Sequence, residues 1–197
     1  MKNKKNKWED HYSRKAKKER FPARSVYKLQ EIQKKYNIIK KGYKILDLGC
    51  YPGSWLLYAA DLTGDRGQVV GVDLKTVSVK TPPNVRILTK DIFSTDDEIK
   101  EFIGTNYNVV LSDMAPATTG NKGVDAARSF NLCEKALEIA QKTLYSGGTF
   151  VCKIFQGEGF INFSNSVKSG FKIHKIIKPQ TSRKASKEIY IIGIDKK

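Results

Sequence analysis

Four aspartates stand at the ends of successive short runs of branched apolar residues, and they are the side chains best placed to act together. They are Asp47, Asp73, Asp91 and Asp113. If the runs are strands of one parallel sheet, their carboxyl ends share an edge and the four carboxylates line one crevice. Such a crevice would repel a diphosphate but would stabilise a ligand that carries a sulfonium, an ammonium and ribose hydroxyls. These residues therefore predict a site for S-adenosylmethionine.

The loop after the first of these runs has the form of a strand, a glycine turn and a helix. Residues 44–55 read Lys-Ile-Leu-Asp-Leu-Gly-Cys-Tyr-Pro-Gly-Ser-Trp. Gly49 and Gly53 allow the backbone to approach a ligand closely, but the dinucleotide fingerprint GxGxxG is absent. Asp73 follows Gly49 by 24 residues, near the spacing at which an acidic residue meets a ribose. Taken alone, the loop also fits an ordinary strand-to-helix turn.

The 197-residue chain carries a formal charge of +16, and the excess lies at its two ends. Residues 1–41 hold 15 basic and 4 acidic side chains, residues 168–197 hold 9 and 2, and residues 42–167 hold 12 and 14. This asymmetry predicts that the ends face a polyanion, with nucleic acid as the first candidate. The alternative is that they only keep the protein soluble. The residues that we expect to contact RNA are Lys15, Lys17, Lys18, Arg24, Arg183 and Lys184.

Aromatic residues are interleaved with the cations near the amino terminus, at Trp8, Tyr12, Phe21 and Tyr27. This mixture is typical of surfaces on which bases stack while phosphates are neutralised. The same rings could instead anchor the segment to the core of the protein.

The rest of the composition argues against metal, membrane and disulfide chemistry. Three cysteines and two histidines show no metal-ligand spacing, and an odd number of cysteines cannot form a closed disulfide framework. No run approaches the roughly 18 apolar residues of a membrane span, and the first residues lack the apolar part of a signal peptide. We therefore expect no metal and no membrane. The expected location is the cytoplasm, or an organelle matrix if a precursor segment has been removed.

Helical and strand patterns alternate along the chain. Helical spacing covers residues 23–36 and places Lys28 at the border of the buried face. Branched apolar runs predict strands at residues 44–48, 69–72, 85–88, 109–111 and 149–154, with helices at 54–62 and 125–144. Residues 171–177 and 188–194 have no helical pattern between them and predict an antiparallel pair at one end of the sheet.

The expected fold is α/β, with a mostly parallel seven-stranded sheet, helices on both faces and an antiparallel strand near the carboxyl terminus. Residues 1–197 are expected to form a single domain. Within it, residues 1–41 are expected to be a basic helical segment on the RNA-binding side.

Five motifs follow one another along the chain. They are Ser-Val-Tyr-Lys-Leu-Gln-Glu-Ile at 25–32, Asp-Leu-Gly-Cys-Tyr-Pro-Gly at 47–53, Ser-Asp-Met-Ala-Pro at 112–116, Lys-Ile-Phe-Gln-Gly at 153–157 and Ser-Arg-Lys-Ala-Ser-Lys-Glu-Ile-Tyr at 182–190. Together they resemble the FtsJ (RrmJ) family of ribosomal RNA 2′-O-methyltransferases, over residues 8–195. The resemblance implies a Rossmann-like fold that uses S-adenosylmethionine. The chain departs from the family at Cys50, Tyr51 and Ser54, where smaller residues are usual, and in the divergent stretch 118–123.

The resemblance also assigns residues to roles. Lys28, Asp113, Lys153 and Glu188 take the places of the family's Lys-Asp-Lys-Glu catalytic tetrad. The expected cofactor positions, those of the family together with those of the glycine loop, are Asp47, Gly49, Pro52, Gly53, Trp55, Asp73, Asp91 and Asp113.

The chemistry of the tetrad follows from the weakness of a 2′-hydroxyl as a nucleophile. Methyl transfer to it needs in-line positioning and a group that takes the proton, and we expect Lys153 to be that general base. A neighbouring Lys28 and partial burial favour its neutral amine, whereas Asp113 and Glu188 favour the ammonium. The carboxylates are therefore expected mainly to orient the two lysines and the cofactor.

These features predict an enzyme that methylates a ribose 2′-hydroxyl, that of a uridine, in large-subunit ribosomal RNA and releases S-adenosylhomocysteine. Its expected partner is ribosomal RNA, free or within the assembled subunit, and its expected state is a monomer. Relatives that act on transfer RNA or on the messenger cap share the tetrad, so these substrates stay open. A non-catalytic RNA-binding assembly factor is a further alternative. A dinucleotide-dependent dehydrogenase is disfavoured by the missing glycine fingerprint.

Overall fold

A computed structural model of the chain describes residues 11–94, 97–116, 119–120, 122–157, 159–182 and 186–197. Its helices are α1 (His11–Lys18), α2 (Val26–Tyr36), α3 (Ser54–Thr63), α4 (Asp97–Ile103), α5 (Lys122–Thr143) and α6 (Phe160–Gly170). Its strands are β1 (Lys44–Leu48), β2 (Gln68–Asp73), β3 (Val85–Thr89), β4 (Tyr107–Ser112), β5 (Leu144–Phe155), β6 (Phe171–Ile177) and β7 (Glu188–Lys196).

The strands of the described chain form one sheet in the order β3-β2-β1-β4-β5-β7-β6. Strands β1 to β5 pair in parallel, and β7 runs antiparallel to both of its neighbours, β5 and β6. The chain moves outward from β1 to β3 and then crosses to β4, so its direction of travel reverses between β1 and β4. The predicted α/β fold with a mostly parallel sheet and an antiparallel carboxyl-terminal strand is confirmed.

Helices cover both faces of the sheet, which explains why β1 is buried along almost its whole length. Neighbouring residues of a strand point to opposite faces. Leu46 belongs to the core that packs under α5 and α6, whereas Ile45 belongs to the core that packs under α2 and α3. The run of apolar residues in β1 therefore supplies two cores at once, and Asp47 is a charged residue within that run.

Some boundaries differ from those predicted. Helix α2 begins at Val26, three residues later than predicted, because residues 23–25 form a turn. Strand β5 begins at Leu144, where the apolar pattern had indicated the end of the preceding helix. Helix α6, rich in serine and asparagine, has weak helical propensity, and the burial of Phe163 and Val167 in the core holds it in place.

The aromatic residues near the amino terminus anchor α1 to the body of the protein. Tyr27 is buried with Ala16, and Tyr12 and Phe21 pack against this small cluster. The Tyr27 hydroxyl donates to Glu19 at 2.9 Å, and burial is the main cause that raises the Tyr27 pKa. The rings of Tyr12, Phe21 and Tyr27 thus pack within the protein. Trp8 lies outside the described residues. None of the helices described is long and apolar enough to cross a bilayer.

Candidate functional site

A cleft of about 520 Å³ lies at the carboxyl edge of the sheet, beside the reversal between β1 and β4. This edge is where open α/β sheets bind their ligands. Four of the predicted cofactor residues line the cleft: Gly49, Asp73, Asp91 and Asp113. The other described lining residues are Tyr51, Val72, Leu74, Lys75, Lys90, Ile92, Phe93, Met114, Ala115, Pro116 and Leu132. Three of the four carboxylates that the sequence places in one crevice, those of Asp73, Asp91 and Asp113, therefore line it. Asp47 does not, because it lies within β1 and its side chain is buried in the sheet.

Asp47 lies beneath this crevice and is fully buried. Neither of its carboxylate oxygens has a hydrogen-bond partner among the described residues. Burial raises its pKa well above the ordinary value, and the nearby charges of Asp113 and Asp73 raise it further. Burial therefore favours the neutral form of this carboxyl group, and a cation close to it would favour the ionised form.

Asp73 and Asp91 organise the loops at the mouth of the cleft. Asp73 accepts a hydrogen bond from the Tyr51 backbone at 2.9 Å and one from the Lys75 backbone at 2.8 Å. Asp91 accepts one from the Phe93 backbone at 3.0 Å. The neighbouring Leu74 and Phe93 side chains are exposed, although both are large and apolar. Carboxylates beside apolar walls suit a nucleoside, because the ribose offers donors and the base offers a flat apolar face.

Gly49 holds a conformation and a space that a side chain would not allow. Its φ is +78°, and a Cβ there would lie 2.4 Å from Met114 Cγ. The missing side chain therefore lets Met114 pack directly against the Gly49 backbone, and both residues line the cleft. Gly53, with φ +108°, is likewise constrained, because its Cβ would lie 2.8 Å from Val79 Cγ2.

Trp55, near the start of α3, contacts the segment that leads into α2. Its indole donates to the Ser25 carbonyl at 2.8 Å, and its ring lies 5.7 Å from that of Tyr190. Ser54, which departs from the family pattern, donates to and accepts from the Ala23 backbone, at 3.1 and 2.7 Å. Asp47, Pro52, Gly53 and Trp55 are not among the described residues that line the cleft, so their direct part in cofactor binding stays a prediction.

The four tetrad residues come from four separate segments and form two ion pairs. Lys153 Nζ lies 3.1 Å from Asp113 Oδ1 and donates to the Asp113 carbonyl at 2.5 Å. Lys28 Nζ lies 2.7 Å from Glu188 Oε1. The side chains are only 8 to 15 % exposed, so both pairs are shielded from solvent. Lys28 thus lies at the edge of the buried face of its helix, as its position in the helical pattern indicates.

Tyr190 connects the two pairs, and the sequence analysis did not single it out. Its hydroxyl donates to Asp113 Oδ1 at 2.5 Å, and Lys28 Nζ lies 5.9 Å from the centre of its ring. It faces Lys153 across the β5–β7 pairing. Burial, then the charge of Asp113, raise the Tyr190 pKa, so the phenol stays a donor. The signal was present, because Tyr190 follows Glu188 by two residues and such residues share a face of a strand.

Glu31 and Arg24 form a clamp that joins α2 and the turn before it to residues 180–181, which precede Glu188 in the chain. Glu31 accepts hydrogen bonds from the backbones of Gln180 and Thr181, at 2.7 and 2.9 Å. The Arg24 guanidinium donates to the Thr181 carbonyl and lies 5.5 Å from the Tyr12 ring. Arg24, predicted to contact RNA, is therefore engaged within the protein through these contacts. Lys28 and Glu31 are three residues apart on α2 and share one face of the helix, and Arg24 reaches the same segment from the turn before α2.

The other residues predicted to contact RNA divide into two groups. Lys15, Lys17 and Lys18 are exposed on α1. Lys15 also lies 3.7 Å from Glu19 and 4.7 Å from the centre of the Tyr27 ring. Arg183 and Lys184 lie outside the described residues. Contact with RNA stays a prediction for all of them.

Within the described part of the chain, no group of three acidic, histidine or cysteine side chains could hold a metal ion. The cysteines are free and buried, and the Cys133 thiol donates to the Lys153 carbonyl at 3.1 Å. Cys133 therefore helps to fix the backbone of the strand that carries Lys153.

Comparison with known proteins adds to this geometry. A family model described as FtsJ-like methyltransferase matches residues 21–196. A ribosomal RNA large subunit methyltransferase E from Desulforapulum autotrophicum is 60 % identical over 98 % of this chain and 96 % of its own length. The protein of the same name from Desulfatibacillum aliphaticivorans is 54 % identical over 98 % of this chain and 93 % of its own length.

The fold is also found in a solved structure. A protein from Plasmodium falciparum assigned as a ribosomal RNA methyltransferase is 29 % identical and superposes with a TM-score of 0.77, covering 89 % of this chain and 98 % of that one. The family model, the relatives and the solved structure all point to a methyltransferase. This chain belongs to the FtsJ-like methyltransferase family and is a methyltransferase.

Proposed function

We propose that this methyltransferase transfers the methyl group of S-adenosylmethionine to a ribose 2′-hydroxyl of large-subunit ribosomal RNA, that of a uridine. The observation that carries the proposal is the pair of shielded lysines, Lys153 on Asp113 and Lys28 on Glu188, at the edge of an acidic cleft. The names of the two close bacterial relatives support ribosomal RNA of the large subunit as the substrate.

The residues of the cleft fit the proposed cofactor. Asp73 and Asp91 stand beside apolar walls, and Gly49 contributes its backbone to the lining. Asp47 does not line the cleft, but its buried carboxyl group has no hydrogen-bond partner among the described residues. A cation, a ribose and a base would each find a complementary partner there. When bound, S-adenosylmethionine supplies a methyl group on a sulfonium, which makes that carbon electrophilic.

Lys153 is the proposed general base. A lysine amine accepts a proton only when it is neutral, and the carboxylate and carbonyl of Asp113 fix the direction in which Nζ points. Tyr190 shares the same Asp113 oxygen and limits how far that carboxylate can move. Lys28 is held by Glu188 in the second ion pair of the site, with 2.7 Å between Nζ and Oε1.

Labelled methyl transfer to large-subunit RNA, followed by mapping of the modified nucleotide, tests the proposal. The substrates are ribosomal RNA and large subunits from cells that lack this gene, with transfer RNA and capped RNA offered in parallel. The expected result is one 2′-O-methylated uridine in large-subunit RNA. Label on transfer RNA or on the cap would reassign the substrate. Cofactor binding without transfer to any RNA would favour the assembly-factor alternative.

A further inference from the structure

A second cavity, of about 970 Å³, lies beyond the tetrad from the cofactor cleft and shares none of the cleft's described lining residues. The amino-terminal part of α5, the chain that follows β5, α6 and residues 186–187 form its walls. Its volume falls within the range of small-molecule sites. Neither the family resemblance nor the proposed methyl-transfer chemistry gives this space a role.

The cavity adjoins the catalytic strands directly. Phe155 lines it and pairs with Glu188 across β5 and β7, and the Gln156 backbone donates to the Lys187 carbonyl at 3.1 Å. Phe155 follows Lys153 by two residues, which is roughly 7 Å along a strand. A chain molecule whose reacting hydroxyl lies at Lys153 would therefore reach the cavity with a neighbouring unit.

The lining combines aromatic walls with a polar rim. Phe130 and Phe155 are half-buried, whereas Gln156, Asn162 and Lys187 are exposed at the same cavity. Aromatic rings stack on bases of any type, amides can bond to base edges, and an ammonium can meet a phosphate. An apolar peptide would leave the amides and the cation without partners.

The Phe130 wall is held in place before any ligand arrives. Its ring packs so closely on Gly159 that a Cβ there would lie 2.8 Å from Phe130 Cδ2. The Phe163 ring meets it edge-on, with centroids 6.4 Å apart. Asp125, the acidic residue of the lining, accepts hydrogen bonds from the backbones of Thr119 and Gly120, at 2.8 and 3.2 Å. Its charge is thus satisfied locally and does not define the cavity.

We propose that this cavity binds an unstacked nucleobase of the substrate RNA, that of a nucleotide next to the methylated one. The inference rests on the proposed function, because it takes the reacting ribose to lie at Lys153. It adds a base-binding subsite that selects RNA in which the flanking nucleotide can leave its stack. Stacking between Phe130 and Phe155 supplies affinity, and Gln156 and Asn162 supply preference among bases.

Filling the cavity is the direct test. Ala127 is exposed on α5 and lines the cavity, so Ala127→Trp would occupy it with little effect on the core. Glu134→Trp, two turns further along the same face of α5 and exposed, is the matched control. With large-subunit RNA as the varied substrate, Ala127→Trp should raise KM for RNA roughly 10-fold or more, the loss expected for one stacked base. S-adenosylmethionine affinity should not change, and the control should match wild type.

A second pair of variants keeps the test decisive if Ala127→Trp folds poorly. Phe155→Ala should raise KM for RNA, and Phe155→Tyr should restore it, because the tyrosine ring also stacks. RNA carrying 4-thiouridine at the nucleotides beside the methylated one should cross-link to residues 155–157 or to Phe130. Unchanged KM in both Ala127→Trp and Phe155→Ala, or cross-links confined to other segments, would overturn the subsite. A wild type that binds cofactor but methylates no RNA would instead refute the proposed function.

Discussion

At the scale of single residues, Asp47 has a proposed role in cofactor binding and an unfavourable buried position. Its carboxylate is fully buried and unpartnered among the described residues, and burial raises its pKa. In the unfolded chain an aspartate titrates near 3.8. Its contribution to stability is therefore complete below that pH and is lost as the pH rises from about 3.8 towards the raised pKa of the folded state.

Asp47→Asn should therefore stabilise the fold at neutral pH and flatten the dependence of stability on pH above about 4, because the amide has no charge to bury. The same change should weaken S-adenosylmethionine binding. Urea unfolding from pH 4 to 8 and calorimetry measure the two effects, with Asp61→Asn, exposed on α3, as the control. An unchanged pH profile would mean that folding does not shift the pKa of Asp47.

Tyr190→Phe removes one hydroxyl from the tetrad and keeps the ring. The Lys153–Asp113 pair should persist, but Asp113 would lose a hydrogen bond of 2.5 Å and the restraint that it provides. We expect methyl transfer to slow roughly 10-fold, in keeping with the loss of one hydrogen bond to a charged group. Single-turnover rates with bound cofactor measure this, and a rate equal to wild type would show that Tyr190 only fills space.

At the scale of elements, the important feature is that α2 carries Lys28 and is clamped to the segment preceding Glu188. Glu31→Ala removes both clamping bonds and should cost about 1–3 kcal/mol of stability. It should also lower the rate of transfer while leaving cofactor affinity intact. Glu138→Ala, whose pairs with Lys135 and Lys142 lie on the surface of α5, should change neither quantity appreciably. A transfer rate equal to wild type in Glu31→Ala would show that these hydrogen bonds do not affect methyl transfer.

The sequence predicted most elements because their local patterns agree with their final surroundings. Strands such as β1 are apolar along their length, since both faces are buried, and that pattern needs no tertiary information. The local pattern did not predict elements whose structure depends on tertiary packing. One is α6, whose polar sequence is held in place by two buried residues, and another is the start of β5. The second cavity, formed by distant segments, could not be read from any single motif.

At the scale of the whole molecule, we propose that the basic amino-terminal segment holds the RNA and that the acidic cleft holds the cationic cofactor. The exposed lysines on α1 are expected to contact the RNA. Lys15→Ala, Lys17→Ala and Lys18→Ala together should make RNA affinity less dependent on salt, by about 2 in the slope of log affinity against log salt if each lysine meets a phosphate. Cofactor affinity should be unaffected. Filter binding at several salt concentrations measures this slope. An unaltered slope would show that α1 does not contact the RNA.

The four residues that the resemblance assigns to a tetrad form two ion pairs in the structure, and their catalytic role stays a prediction. Resemblance named Lys28, Asp113, Lys153 and Glu188, whereas the division into two ion pairs depends on the order in which β4, β5 and β7 meet at the sheet edge. Glu31 was missed because its contacts join segments far apart in sequence. Tyr190 could have been found from its two-residue spacing from Glu188, although its contact with Asp113 could not.

Single-turnover methyl transfer by Lys153→Arg, with cofactor prebound and RNA in excess, addresses the general base most directly. Arginine can pair with Asp113 but keeps its proton at any workable pH, so it cannot accept another. We predict a rate lower by about 10²- to 10⁴-fold, the usual effect of losing a general base, with S-adenosylmethionine affinity retained. A rate within a few-fold of wild type would contradict the assignment and would leave Lys153 as a residue that orients the hydroxyl while another group takes its proton.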